Sequence, residues 1–387
     1  MLWVVEAWRG IASALVLWSH WAEPLGLPVG LTAFAFTGVD LFFVLSGFVF
    51  APVLLQRPVP SLRAYGLRRV LRIYPAYLVA LALYVTLAWM AGRPLLYLPE
   101  HVLMGHLQSR EMAFYYNPAF WSLPVEVGFY VLLPMLGVVL ARGRAWKSRS
   151  DAWQRVGSAG HSDPYHDGGA PGRRFVAGRT LSVSQWMGWP QLLLLALAVR
   201  LVLAGMADGE AQNRAYVLLN HTPGLLIEFL LGVWVWQRGQ RPLSPAMAWA
   251  YAMAGLGGWC ALAALFVQTR TSAPGWLSGQ LGFGAALCFS ALLLASLQLT
   301  RPSIAALVLA RWSGQLSYCM YLLHLAWLEP ALAWSARWGT ATGTSLALAG
   351  LLLSCLALHW CVEEPARRWG RHHAARWERG GTGASTE

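Results

Sequence analysis

The sequence predicts an all-α, polytopic integral membrane bundle of about ten transmembrane helices, and three observations lead there. Only 12% of the 387 residues are charged, against about 25% in a soluble domain. Hydrophobic residues make up 57% of the chain. They run in stretches of about 20, the length that crosses a hydrocarbon core of roughly 30 Å, without the period-two alternation of barrel strands.

The spans fall near residues 3–22, 34–55, 73–92, 119–141, 187–206, 215–236, 246–267, 276–298, 316–334 and 344–362. No cleavable leader is expected, because no basic segment opens the chain and Glu6 and Arg9 interrupt the first apolar run. The net charge of +12 is a topology signal. Alternate loops hold most of the cations, in the segments 57–72, 142–179, 238–241, 301–311 and 367–379. The intervening loops hold only Arg93, Arg110, Arg214, Arg270 and Arg337. Basic loops stay cytoplasmic, so both termini are expected in the cytoplasm, and no nucleic-acid partner is implied. The five cysteines all lie in apolar spans without a CxxC pair, which argues against disulfides and against a metal site.

The chain therefore divides into a membrane domain over 1–368 and a basic, flexible tail over 369–387 that suits anionic headgroups. A polar insertion at 142–185 interrupts the domain. It has too little apolar content to bury a core, and its "HSDPYHD" reads as a solvated turn.

Ionisable groups at bilayer depth are costly, so each is a candidate for function. Arg9 and His20 are eleven residues apart. At about 100° and 1.5 Å per residue they share one face of the first span and are separated by about 16 Å. Glu6 is placed to pair with Arg9. Asp40 opens the second span, at the same side of the membrane as His20, where it could orient the imidazole as the third member of a triad does. Arg68, Arg69 and Arg72 crowd the start of the third span. Guanidinium forks there suit a phosphate-bearing cytoplasmic ligand. Ser122, Glu126 and Tyr130 share a face of the fourth span, and Ser317, Tyr321 and His324 a face of the ninth. His101, His106 and His221 read as surface histidines. Glu363 and Glu364 read as interfacial carboxylates solvated beside Arg367 and Arg368.

The segments "WRGIASALVLWSH", "GVDLFFVLSGF", "RRVLRIYPAY", "WSLPVEVGFY", "LSYCMYLLH" and "VEEPARR" occur in this order. Together they resemble the acyltransferase 3 family of membrane O-acyltransferases, which act on bacterial surface polysaccharides and related acceptors. The resemblance implies a multi-pass protein of the bacterial cytoplasmic (inner) membrane. The acyl group, most simply acetyl, would come from acyl-coenzyme A, a co-substrate and not a resident cofactor. It would pass to a hydroxyl of a glycan or glycoside. Arg9 and His20 correspond to the family's essential pair, and Arg69 and Arg72 to its basic motif at the donor. Glu126, Tyr321 and His324 fall in further family motifs. His20 is then the expected general base, with Arg9, Asp40 and Glu126 as further catalytic candidates and Ser122, Tyr130, Tyr321 and His324 as pocket residues. One departure is Glu6-Ala7-Trp8 where the family often has Asp-Gly-Leu, which puts a bulky indole beside Arg9. Composition alone is equally consistent with a transporter or flippase of a glycan or lipid-linked substrate. The oligomeric state is not legible in the sequence.

Overall fold

The structure, a computed structural model, describes residues 2–55, 61–138, 189–207, 212–270, 275–299 and 302–382. Among them there is no strand. The long helices are α1 (Leu2–Trp21), α2 (Gly38–Leu55), α3 (Leu62–Met90) and α6 (Pro118–Val138). Two short helices, α4 (Leu98–Val102) and α5 (Arg110–Phe114), lie between α3 and α6. Then come α7 (Trp189–Ala207), α8 (Gln212–Leu219), α9 (Thr222–Gly239), α10 (Pro245–Thr269) and α11 (Gly275–Ser296). The chain finishes with α12 (Ile304–Leu323), α13 (Leu328–Trp338), α14 (Thr340–Leu358) and α15 (Glu364–Thr382). The insertion at 142–185 lies outside the described residues.

Eight helices are long and apolar enough to cross a membrane. The segments of α1 and α12 are not among the eight, and these two carry the Arg9–His20 and Tyr321–His324 stripes. Their polar residues lower the hydropathy of helices that the rest of the bundle shelters. Leucines, valines and tryptophans on the outer faces, such as Trp89, Leu194 and Trp249, stay exposed, as lipid-facing residues do.

Lipid tails are as apolar as leucine, so helices associate through close packing of small residues. Helices α2 and α9 cross with Gly47 against the backbone of Phe229 and Gly232 against the backbone of Val44. Helices α1 and α12 run in the same direction: Gly10 meets Ser313, Gly314 meets Glu6, and the Trp21 indole donates to the His324 carbonyl (2.9 Å).

The ninth span differs from expectation. Its helix begins at Ile304 and breaks into a 3-10 turn over His324–Trp327 before α13. The backbone groups freed there are satisfied. The Tyr84 hydroxyl donates to the Leu322 carbonyl (3.0 Å) and accepts from the Ala326 amide (3.0 Å), and Asn117 also donates to Leu322 (3.2 Å). Non-helical backbone at membrane depth requires such partners.

The tail expected to be flexible from 369 is helical through Thr382. It packs antiparallel along the start of α3, with Gly370 against Leu71 and Arg68 donating to Glu378 (2.8 Å). Before it, residues His359–Glu363 form a π-helical turn.

His101 and His106, expected at the surface, are fully buried. Their rings stack with centroids 4.0 Å apart. Each Nε2 faces a carbonyl, of Met112 (3.0 Å) and of Phe120 (3.1 Å). Carbonyls only accept, so each Nε2 carries its proton. Burial, with the neighbouring His106, lowers the His101 imidazole to about 3.

Two outcomes follow. Gly232→Val should destabilise the bundle by about 1–3 kcal/mol or more, as overpacking does, whereas Gly257→Ala, where a Cβ meets open space, should leave it unchanged; thermal melting in detergent reads both. The folded chain also keeps His101 neutral while the unfolded chain protonates it below about 6.5. Stability should hold above that pH and fall as pH drops from about 6.5 toward 3, and His101→Phe should make the fall shallower in melts recorded from pH 7.5 to 5.

Candidate active site

Three cavities adjoin one another, and Arg9 and Arg72 line all of them. The largest, about 800 Å³, lies between α1, α12 and the α14–α15 junction. Arg311, Arg367, Arg368 and Arg371 line it, with Glu6, Glu363 and Glu364. The second, about 300 Å³, lies between α2, α3, α6 and α15 and includes Arg68 and Arg69. The third is the smallest, about 60 Å³, and its lining includes Arg9, Arg72, Ser122, Glu126, Ser317, Tyr318 and Tyr321.

Each wall is built by helical periodicity. On α6, Ser122 and Glu126 face the smallest cavity, and Tyr130, one turn on, faces the second. The Tyr130 hydroxyl donates to Glu126. On α3, Arg68 and Arg72 are i, i+4 neighbours. The Arg69 guanidinium lies over aromatic rings, 4.9 Å from the Phe50 centroid and 5.5 Å from that of Tyr130. Arg9 keeps the expected pairing with Glu6, at 3.7 Å. The Tyr321 hydroxyl donates to the Ala119 carbonyl. Having one proton, it accepts from the Ser122 hydroxyl (2.6 Å).

The Tyr321 and His324 rings are 6.2 Å apart, and His324 meets His20. His324 Nδ1 lies 2.9 Å from the Tyr321 carbonyl, so that nitrogen carries the proton and Nε2 is an acceptor. His20 Nδ1 lies 2.8 Å from the Val16 carbonyl and 3.3 Å from His324 Nε2. It is therefore the protonated nitrogen, and the Nε2 of His20 keeps a free lone pair. These tautomers follow from the hydrogen-bond partners. Side-chain contacts thus lead from Tyr321, in the lining of the smallest cavity, through His324 to His20, and neither histidine is in the lining of the three cavities.

Asp40 does not take the expected place beside His20. Position 38 faces α1, since a Cβ on Gly38 would touch the Ala12 carbonyl. Two residues further is about 200° around the helix, so Asp40 points away. It meets Glu228 and Arg200 and abuts Gly282. Arg200 lies 3.2 Å from Glu228, and both are buried; Arg200 also donates to the carbonyls of Gly224 (2.9 Å) and Gly279. The expected bulk of Trp8 beside Arg9 is also redirected: its indole donates to Ser296 of α11 (2.8 Å).

The residues that sequence reasoning missed are Tyr318, Arg311, Arg371 and the Arg200–Glu228 pair. For the pair a signal existed. An arginine in an apolar span needs a carboxylate at its depth, and Glu228 is one of few. Among the described residues, Cys319, His359 and Glu363 are close enough together to hold a cation. They are satisfied without one: His359 Nδ1 is 2.8 Å from Glu363, and the Cys319 thiol donates to the same carboxylate (3.4 Å).

The family model described as an acyltransferase domain matches residues 3–363, which include both histidines, every arginine of α3 and the Tyr321 turn. The chain belongs to the acyltransferase 3 family. It is an acyltransferase, transferring groups other than aminoacyl groups, which sets aside the transporter reading. No curated protein and no solved structure matches it. For this acyltransferase, the Asp40–Glu228–Arg200 cluster lies apart from the three cavities. Removing one partner of a buried ion pair costs about 3–5 kcal/mol. Arg200→Leu should therefore lower the melting temperature and the yield of monodisperse protein sharply, while acyl transfer per folded molecule is retained.

Proposed function

We propose that this membrane acyltransferase carries an acyl group, most simply acetyl, from acyl-coenzyme A to a hydroxyl of a sugar or polysaccharide. The donor binds at the arginine-lined end, and the acceptor is acylated at the His20–His324 end. One observation carries the reading: Arg9 and Arg72 are common to all three cavities, and Tyr321, which lines the smallest, has its ring 6.2 Å from that of His324.

The chemistry assigns itself along that route. Arginines suit the phosphates of coenzyme A. The pantetheine arm would have to carry its thioester from these arginines to His20, some 16 Å along α1. The acceptor hydroxyl gives its proton to His20 Nε2, its oxygen attacks the thioester carbonyl, and the C–S bond breaks. The imidazolium then returns the proton to the departing thiolate. Imidazole suits both steps because its ordinary pKa lies near operating pH. His324 is a positioning residue, since its Nε2 accepts from His20 Nδ1 and holds the base in the productive tautomer. Tyr321 and Ser122 line the smallest cavity and are candidates to meet the carbonyl oxygen. Arg9 stabilises negative charge at the junction.

With the basic loops cytoplasmic, the donor enters from the cytoplasm and the acceptor is a glycan handled at the far side of a bacterial inner membrane.

The test is transfer of label from [14C]acetyl-coenzyme A into glycans of membranes holding matched amounts of protein. His20→Ala should lose about 10²–10⁴-fold, the range of general-base assistance, and His324→Ala should lose less. Undiminished labelling with His20→Ala would remove the imidazole from the mechanism. Mass spectrometry of surface glycans from cells with and without the chain should show a difference of one acyl unit.

A further inference from the structure

We propose that α15 is part of the donor site: Arg367 and Arg371, with Arg68, Arg69 and Arg72 of α3, form a cradle for the nucleotide phosphates of acyl-coenzyme A. This rests on the reading of the donor given above and adds a binding element that the sequence reading left as a tail.

The second cavity carries the argument. Of its ten lining residues six are arginines, Arg9, Arg68, Arg69, Arg72, Arg367 and Arg371, and none is a carboxylate. Guanidinium groups converging on a space of about 300 Å³ repel one another, and more strongly beside an apolar bundle than in water. Such an arrangement is favourable when an anion fills it.

The neighbouring carboxylates do not fill it. Glu378 takes one N–H of Arg68 (2.8 Å). Glu364 takes one of Arg371 (3.0 Å) and one of Arg368 (2.9 Å). Glu363 lies 3.5 Å from Arg367. Glu363 and Glu364 line the larger cavity, which Arg9, Arg72, Arg367 and Arg371 line as well, and neither is in the lining of the second. These carboxylates take one donor each from Arg68, Arg367 and Arg371, and a guanidinium has five. Arg69 is oriented without an acid, by stacking on Phe50, Tyr65 and Tyr130. Its Nε is buried with no hydrogen-bond partner.

The two helices present the groups in register. Arg68 and Arg72 are i, i+4 on α3, and Arg367 and Arg371 are i, i+4 on α15. The helices lie antiparallel with Gly370 against Leu71 and Ala374 buried, so two arginine rows face one space. Coenzyme A offers a diphosphate and a third phosphate on its ribose, a polyanion suited to bidentate forks from two sides. An anionic lipid headgroup offers the same phosphate chemistry, and the experiment separates the two.

The test is binding to the full-length protein in phosphatidylcholine nanodiscs, with coenzyme A, adenosine 3′,5′-bisphosphate and pantetheine as probes. Arg371→Gln and the Arg367→Gln, Arg371→Gln double variant should weaken coenzyme A and the bisphosphate by about tenfold or more, the loss of a charge-assisted contact. Pantetheine binding should not change, nor should Arg376→Gln alter any of the three. Arg371 is largely exposed, so its single variant keeps the test open if the double variant fails to fold. Equal coenzyme A affinity in wild type and variants would overturn the role of α15 while leaving the donor itself in place. A parallel loss of pantetheine would mark a general distortion and overturn it too. So would a difference that appears only when phosphatidylglycerol is added, which would assign the arginines to headgroups. Wild-type protein that binds no coenzyme A would remove both this proposal and the donor on which it rests.

Discussion

Two guanidinium groups, Arg9 and Arg72, are held at one junction inside an apolar bundle, and the architecture is organised around that cost. Positive charges in a low-dielectric interior need negative partners or access to water. The helices supply both. Glu6 comes from α1, Glu126 from α6 and Glu363 from the end of α14, while three cavities bring solvent or ligand to the remaining faces. Helices α1, α3, α6, α12 and α15 converge on this point, and the α7–α11 portion shores up α2 from the opposite side.

What could be read from the chain was whatever depends on local period. The shared face of Arg9 and His20, the Ser122–Glu126–Tyr130 stripe and the Tyr321–His324 stripe all follow from 100° per residue, and all line the cavities or the imidazole pair. Family membership was legible because the motifs occur in order. The all-helical class and the apolar spans were legible from composition. What depends on rotation of one helix against another was not. Whether Asp40 or His324 would be the neighbour of His20 turns on which side of α2 touches α1, and Gly38 settles that through a steric contact no periodicity reveals. The 3-10 break at His324 hid inside a continuous apolar run. His101 and His106 looked like surface residues because their burial depends on stacking on each other and on packing against Tyr77 and Tyr116. The α15 segment looked like a tail because its charge outweighs its few small residues, yet Gly370 and Ala374 are what let it lie against α3.

Glycine carries much of the packing. Gly47 and Gly232 bring the backbones of α2 and α9 into contact, and Gly10 and Gly314 do the same for α1 and α12. The α1–α12 contact also bears on the imidazole pair, since the same helix pair brings His20 and His324 together at its other end. Close approach at the glycines is thus transmitted along two rigid rods to the imidazoles.

The π-helical turn at His359–Glu363 carries a consequence for how the chain is aligned. A π turn holds one more residue than the α turn it replaces. Remove that residue, and everything beyond it rotates by about 100°. Arg367 and Arg371 would then turn away from the second cavity with nearly every side chain unchanged. The aim of the arm is set by a count of residues, a form of encoding that a catalogue of contacts does not display.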